Sequence, residues 1–295
     1  MRRKVKAPVI IGFLLPGILL YGYFFFIPMV NSFYYSMTSW NGFAANREFI
    51  WFDNFIRLTT DRSFIISFQN TLAFMFFGGI VVFALCILFT YHITKTGFKG
   101  KNIFARLFYF PNMISQAALA VLWVFVFNPN FGILNMALEW LGFEAVVWFG
   151  SRGLGIASLI FATSFAFVGF YLILLLSGFD RIPDTFLEAA RMDGAGDIVC
   201  FFKITLPLLR DVLLIAIILW IINMIRYFEL IFAMFRGMST SLNTMGTYMY
   251  TVAFGSHIPI FDLGYGSAIT VVMFLMVAVS IGIFRWLFDR ESVQY

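Results

Sequence analysis

The sequence predicts an all-α integral membrane protein with six transmembrane helices and both termini in the cytoplasm. Three observations predict this fold class. Of the 295 residues, 61% are hydrophobic and only 12% are charged, about half the charged fraction of a soluble domain. Long stretches contain no Asp, Glu, Lys or Arg, and the basic residues are distributed unevenly between the loops. We expect one transmembrane domain over residues 1–295.

The charge-free stretches predict where the spans lie. About 20 apolar residues, rising about 1.5 Å each, cross a hydrocarbon core that is roughly 30 Å thick. The runs are continuous, which favours helices over barrel strands of about 10 alternating residues. The predicted spans lie at about 9–34, 65–91, 104–127, 154–179, 208–235 and 264–287.

The basic residues predict the orientation. Fourteen of the 20 fall on the side of the amino terminus, five fall on the other side, and Arg226 lies within a span. Since Lys and Arg concentrate in cytoplasmic loops, both termini and the segment 180–207 are expected to be cytoplasmic. Attraction to anionic lipid then accounts for the pI of about 9.2 without nucleic acid. Arg2, Arg3, Lys4 and Lys6 precede an apolar run too long for a signal peptide, which predicts an uncleaved first span.

Residues 180–207 form the longest charged interruption between two apolar segments. Thr185 and Glu188 have the spacing of a capping box, which predicts a short helix through Met192. Gly194 is expected to end this helix, because glycine accepts a positive φ at a helix carboxyl terminus.

A second short helix is expected beyond this glycine corner. Asp197 would cap it, and it would run to Ile204. Pro207 would begin the fifth span, where a proline loses no needed amide. Composition alone leaves two alternatives open: a solvated cytoplasmic loop, or a surface that docks another protein.

A longer pattern in this segment resembles a known motif. The order Glu-Ala-Ala, three residues, Gly, nine residues, Ile, one residue, Leu-Pro resembles the EAA loop of permease subunits of bacterial ABC importers. The flanks, including residues 169–194 and Leu15-Pro16-Gly17, resemble the carbohydrate permeases of the maltose and glycerol-phosphate type. The resemblance covers nearly the whole chain. Phe235-Arg236-Gly237-Met238 departs from the Thr-Gly-Gly-Pro-like turn of that family.

This resemblance implies a permease subunit that forms half of a path for a sugar or oligosaccharide. The segment would be a coupling helix seated in a cleft of a cytoplasmic ATPase. The docking residues it implies are Glu188, Ala189, Ala190, Met192, Asp193, Gly194, Ile204, Leu206 and Pro207.

The resemblance also implies the partners and the location. The partners are a second homologous permease subunit, a dimer of ATP-binding subunits and an extracellular or periplasmic solute-binding protein, in the bacterial cytoplasmic membrane. The chain contains no G-x-x-x-x-G-K-[ST] phosphate loop. We therefore expect a non-catalytic subunit that binds no cofactor, with MgATP used by the partner.

Polar residues inside the spans are candidates for the solute path. Arg226 and Glu229 are three residues apart, which on a continuous helix is one face. A charge within a span costs about 2.5–3.5 kcal/mol on insertion scales, so it requires a partner or water. The two residues either satisfy each other as a structural pair or, with Asn223 and Tyr227, line a solute cavity.

Further candidates for the path lie in spans two and three, namely Asn70, Asn112 and Gln116. Some of these amides would instead hydrogen-bond neighbouring helices. Neither His92 nor His257 has neighbours in the sequence that suggest a metal site.

One alternative function remains open on the sequence. An ion-coupled secondary transporter would require a buried carboxylate relay or broken helices in repeated halves, and Glu229 is its single candidate carboxylate. An intramembrane enzyme would require clusters of His, Cys or Asp in the spans, which the sequence lacks.

Overall fold

The structure is a computed structural model that describes residues 7–43, 47–95, 100–237, 239, 241–255 and 260–288. The basic residues at positions 2–6, and Lys99, Met238, His257 and Arg290, lie outside the described residues. Within these ranges the regular structure is helical, apart from one antiparallel bridge between Thr38 and Phe49, which confirms the all-α class. The helices are α1 (Ala7–Tyr21), α2 (Ile27–Tyr35), α3 (Asp53–Thr60), α4 (Arg62–Ala73), α5 (Gly79–Thr94), α6 (Lys101–Met113), α7 (Gln116–Val126), α8 (Ile133–Trp140), α9 (Arg152–Phe179), α10 (Asp184–Met192), α11 (Asp197–Cys200), α12 (Leu206–Leu208), α13 (Arg210–Ile225), α14 (Glu229–Phe235), α15 (Met245–Phe254) and α16 (Leu263–Phe288).

Among the described residues, five helical stretches are long and apolar enough to cross a membrane, and a bent pair of helices brings the number to six if the pair is one span. Three π-helical turns, Gly22–Phe26, Phe74–Gly78 and Phe201–Thr205, connect α-helices without interrupting the helical path. The five stretches are Ile11–Tyr35, Arg62–Thr94, Arg152–Phe179, Arg210–Phe235 and Leu263–Trp286.

The segment expected as the third span, residues 104–127, is not one continuous helix. Two helices, α6 and α7, meet at a bend of 94°. Ile114 and Ser115 between them have extended ψ angles of 138° and 141°. The Ser115 hydroxyl accepts a hydrogen bond of 3.3 Å from the Ala118 amide and so caps α7.

The fifth span is also interrupted. Helix α13 ends at Ile225, residues 226–228 are not helical, and α14 begins at Glu229. The expectation that Arg226 and Glu229 share one face of a continuous helix is therefore wrong. Non-helical backbone at membrane depth must be satisfied within the protein, and here the Thr244 hydroxyl donates to the Tyr227 carbonyl oxygen at 2.6 Å.

The described chain divides into two compact units. In the unit that comprises residues 62–248 and 275–295, α9 packs against α5 and α6. Gly169 of α9 lies so close to α6 that a Cβ atom there would stand 1.9 Å from the Phe108 carbonyl oxygen. The sequence therefore brings two backbones together at a residue without a side chain, as is common at helix contacts in membranes.

The other unit comprises residues 1–61 and 249–274. The Arg57 guanidinium pairs with Asp262 at 2.6 Å and lies 3.9 Å from the centre of the Tyr265 ring. The Tyr265 hydroxyl donates to Asp61 at 2.6 Å. These contacts join the end of α3 to the beginning of α16.

Candidate functional site

Helix α10 ends in a Schellman motif, which explains the spacing between Ala190 and Gly194. Gly194 has a φ of +84°, as expected. The Gly194 amide donates to the Arg191 carbonyl at 3.0 Å, and the Ala195 amide donates to the Ala190 carbonyl at 2.9 Å. These are the two bonds that define the motif. A left-handed residue four positions after Ala190 is therefore part of how this helix stops.

The capping box expected at the start of α10 is wrong. The helix begins at Asp184 after Pro183, and its cap residue makes no side-chain hydrogen bond. Thr185 lies within the first turn instead. Asp197 is likewise the first residue of α11 rather than its cap, which is Gly196.

The segment after Gly194 also differs from expectation. Instead of one short helix to Ile204, α11 ends at Cys200 and a π-helical turn runs from Phe201 to Thr205. Pro207 is the middle residue of α12, and the long helix of the fifth span begins at Arg210.

One side of the segment 180–207 is fixed to the ends of the spans. Asp197 lies 3.9 Å from Arg191 and 3.7 Å from Lys95, at the end of α5. The rings of Phe201 and Tyr91 pack at 5.3 Å. These contacts hold residues 197–201 against the end of α5, and the ion pair between Arg191 and Asp197 links α10 to them.

The opposite side of the segment is exposed in the isolated chain. Met192 is 88% exposed, and Phe186 and Ile198 are also exposed. Glu188 and Ala189 lie on this side, whereas Ala190 is buried. Of the remaining predicted docking residues, Asp193 and Pro207 are exposed and Ile204 and Leu206 are half-buried. Met192 and Phe186 form an apolar knob on α10, with Ala189 and Glu188 beside it. Such a surface can receive another protein.

Five of the seven predicted path residues line one cavity of about 160 Å³. They are Gln116, Asn223, Arg226, Tyr227 and Glu229. The two breaks explain this convergence: Gln116 is the first residue of α7, and the other four lie at or beside the junction of α13 and α14. Helices α7 and α14 pack against each other.

Tyr227 organises the polar side of this cavity. Its hydroxyl donates to Gln116 Oε1 at 3.2 Å and accepts from the Thr163 hydroxyl at 3.3 Å. Asn223 donates to the Tyr171 hydroxyl at 3.4 Å. The side-chain amides of Gln116 and Asn223 are thus oriented at the cavity by hydrogen bonds with the hydroxyls of Tyr227 and Tyr171.

Arg226 and Glu229 do not pair with each other. The ion pairs found among the described residues within 4.0 Å do not include them, and both side chains are exposed at the cavity. The mutually satisfied pair that a continuous helix would allow is therefore not formed. Each charge remains accessible to water or to a solute.

Asn70 and Asn112 lie elsewhere. Asn70 is 1% exposed, and its Nδ2 donates to the carbonyl oxygens of Ser241 and Asn243 at 2.9 and 2.8 Å. Asn112 donates to the Ala166 carbonyl at 3.2 Å. These contacts hold neighbouring segments together, which is the alternative considered for the amides of spans two and three.

Sequence reasoning missed two aromatic residues of the cavity, Phe167 and Phe228, and the supporting hydroxyls of Thr163, Tyr171 and Thr244. Phe167 and Phe228 could not be distinguished among 41 phenylalanines. Thr163 within an apolar span was a usable signal, because Thr hydroxyls often form hydrogen bonds between membrane helices.

The sequence of residues 92–293 matches the family described as the binding-protein-dependent transport system inner membrane component. The chain belongs to this family. Its members are ABC importer permeases, which are non-catalytic, multi-pass subunits in the cytoplasmic membrane. This membership confirms the predicted family of carbohydrate ABC importer permeases and decides against the ion-coupled secondary transporter.

Individual relatives agree with the family. The multiple sugar-binding transport system permease protein MsmF of Streptococcus mutans is 30% identical over 90% of this chain and 90% of its own length. The diacetylchitobiose uptake system permease protein NgcF of Streptomyces coelicolor is 27% identical over 92% of this chain and 80% of its own length. In solved structures, a chain of a bacterial alginate ABC transporter in complex with an alginate pentasaccharide-bound periplasmic protein superposes with a TM-score of 0.76 at 22% identity. That match covers 95% of this chain and 94% of the other, and it shows a shared fold.

Proposed function

We propose that this permease forms half of the translocation path for a carbohydrate, a sugar or an oligosaccharide. The observation that carries the proposal is the cavity between α7 and the junction of α13 and α14. Amides of Gln116 and Asn223, the charges of Arg226 and Glu229 and the ring of Phe228 converge there. Hydroxyl-rich solutes are bound by such hydrogen-bonding groups beside an aromatic surface. The sugar and chitobiose systems named for the relatives support the same solute class.

The other half of the path would come from a second homologous permease subunit. The cavity is open on one side in the isolated chain, and Arg226 and Glu229 are exposed at it. A partner of similar fold would close this side. An extracellular or periplasmic solute-binding protein would deliver the solute, as the family description implies.

Coupling to ATP would take place at α10. In this proposal Met192 and Phe186 enter a cleft of a cytoplasmic ATP-binding subunit, Ala189 allows close seating, and Glu188 pairs with a base of that subunit. The Schellman motif at Gly194 sets the direction of the chain after α10, and the ion pairs of Asp197 connect the segment to the end of α5. Movement of the docked helix would therefore be transmitted to the spans.

The test is ATP hydrolysis by the assembled importer in lipid, with and without its solute-loaded binding protein. Gly194→Val places a β-branched residue at a φ of +84°, which such residues rarely adopt. Gly196→Val is a matched control, because Gly196 has φ −73° and ψ 164°, and a Cβ at either glycine would meet nothing within 4 Å.

We expect Gly194→Val to abolish stimulation by the loaded binding protein and Gly196→Val to retain most of it. Membrane level and subunit assembly are measured in parallel. Equal stimulation in both variants would contradict the coupling role of α10. Transport by this chain without any ATPase would contradict the proposed function as a whole.

A further inference from the structure

A groove of about 770 Å³ lies between α4–α5 and α9 and shares no lining residue with the solute cavity. Its polar residues lie together at one end, where Arg152, the first residue of α9, meets Gln69 and Asn70 of α4. The remainder is apolar, with Phe77 and Phe161 among its walls. A second apolar cavity of about 420 Å³ shares Val81 and Phe161 with it and prolongs the groove along α9.

Arg152 is held firmly but is not neutralised. Its Nε donates to Asn70 Oδ1 at 3.0 Å, and its Nη2 donates to Gln69 Oε1 at 2.9 Å and to the Ile66 carbonyl at 3.4 Å. All three acceptors are uncharged. Among the described residues no carboxylate lies within 4.0 Å of the guanidinium and Nη1 has no hydrogen-bond partner.

The length of the groove along α9 is about equal to the thickness of the hydrocarbon part of one membrane leaflet. From Arg152 to Phe161 the helix rises about 14 Å at 1.5 Å per residue. Half of a hydrocarbon core of roughly 30 Å is about 15 Å. Arg152, a cation at the end of a transmembrane helix, matches the charge of a phosphate group. The apolar part of the groove matches the length of an acyl chain within one leaflet.

We propose that this groove binds one phospholipid with an anionic headgroup. The planar guanidinium of Arg152 contacts the phosphate, for which its geometry is suited, and one acyl chain lies against Ala157 between Phe77 and Phe161. The amides of Gln69 and Asn70 orient Arg152 and do not touch the lipid. The site is separate from the solute cavity and does not depend on which solute is transported.

Small side chains on α9 leave space in the groove. Gly153 and Ala157 are exposed and lie in the groove wall, and a Cβ at Gly153 would meet nothing within 4 Å. Ala157→Phe would fill this space without disturbing a buried contact. It therefore tests the groove independently of Arg152, whose loss also removes three hydrogen bonds.

The experiment measures the phospholipid that stays with the full-length protein and its co-purifying subunits after exchange into detergent with phosphatidylglycerol or phosphatidylcholine. Retained lipid is extracted and quantified by mass spectrometry. The variants are Arg152→Gln, Arg152→Lys and Ala157→Phe, and Arg62→Gln is the control at another exposed arginine that does not line the groove.

We expect the wild type, Arg152→Lys and Arg62→Gln to retain phosphatidylglycerol in preference to phosphatidylcholine. Arg152→Gln should reduce the preference about fivefold, the effect of one basic residue near a lipid surface. Ala157→Phe should reduce retention of both lipids. Equal retention in all variants would overturn the proposal. So would unchanged retention with loss of co-purifying subunits in Ala157→Phe, because the groove would then be a protein interface.

Discussion

The indole Nε1–H of Trp220 donates a hydrogen bond of 2.9 Å to the carbonyl oxygen of Met75. The same ring covers Gly78 and Gly79, where a Cβ atom would stand 2.9 Å from it. Met75 lies in the π-helical turn Phe74–Gly78, and such turns disturb the regular pattern of backbone bonds. Trp220 thus satisfies a backbone carbonyl in the π-helical turn of the second span, and it connects α13 to that span.

Trp220→Phe should lower stability. The smaller phenyl ring leaves space beside Gly78 and Gly79. The Met75 carbonyl also loses its donor in apolar surroundings, which for interhelical bonds costs about 0.6–2 kcal/mol. Thermal unfolding in detergent should shift downward by a few degrees. The control is Trp140→Phe, since Trp140 is 86% exposed. Equal midpoints for the two variants would contradict a structural role for the bond.

Gly169→Ala should be the more severe of two glycine substitutions. The new methyl group would meet the Phe108 carbonyl at 1.9 Å, so α6 and α9 must separate, and overpacking of this kind costs about 1–3 kcal/mol or more. Gly282→Ala should be neutral or slightly stabilising, because nothing lies within 4 Å of a Cβ there. The yield of folded protein after detergent extraction distinguishes the two. Similar yields would show that the contact relaxes easily.

Met192→Ser should weaken docking of the ATP-binding subunit. A methionine that becomes buried contributes about 1.5–3 kcal/mol, so we expect at least a tenfold loss of affinity in a binding assay with purified subunits. Met136→Ser, at an exposed position of α8, is the control and should bind like the wild type. If Met192→Ser binds equally well, the knob on α10 does not enter the ATPase.

Tyr227→Phe should impair solute transport more than stability. The ring keeps its contacts with Phe74 and Phe167, but Gln116 and Thr163 lose the hydroxyl that orients them. Loss of a hydrogen bond worth about 1 kcal/mol predicts roughly a fivefold decrease in uptake. Initial uptake rates in vesicles measure it, with Tyr23→Phe at an exposed site of the first helix as the control. Uptake at the wild-type rate would remove Tyr227 from the path.

Asn70→Ala should destabilise the protein without changing solute preference. The carbonyl oxygens of Ser241 and Asn243 would lose their donor. Asn243 is buried, and a buried group left unsatisfied costs about 1–3 kcal/mol. Thermal unfolding and competition between solutes during uptake provide the two readouts. A changed solute preference at unchanged stability would return Asn70 to the solute path.

The sequence predicted the positions of the helices better than the positions of the breaks between them. Charge-free stretches located the apolar segments, and Gly194 marked the end of α10, because a glycine after a short helix has a defined conformational role. The bend between α6 and α7 was missed because the segment around it is uncharged, and absence of charge says nothing about backbone continuity. Pro111 and the capping residue Ser115 were the usable signals.

The same distinction applies to the cavity. Charged and amide residues in the spans identified Gln116, Asn223, Tyr227 and their neighbours as candidates. Their proximity depends on the break at residues 226–228, which brings the start of α14 beside α7. The pairing of Arg226 with Glu229 could not be judged from spacing, since spacing implies a common face only while the helix continues.

The bend at Ile114 and Ser115 also affects how the nascent chain can enter the membrane. Helices α6 and α7 have 13 and 11 residues, or about 20 Å and 17 Å, and neither crosses roughly 30 Å of hydrocarbon alone. Release of this region from the translocation machinery as a single helix would expose the polar backbone of the bend to lipid. We therefore expect the region to remain at the machinery until α9, synthesised later, supplies the surface around Gly169, so that insertion and helix packing are one step.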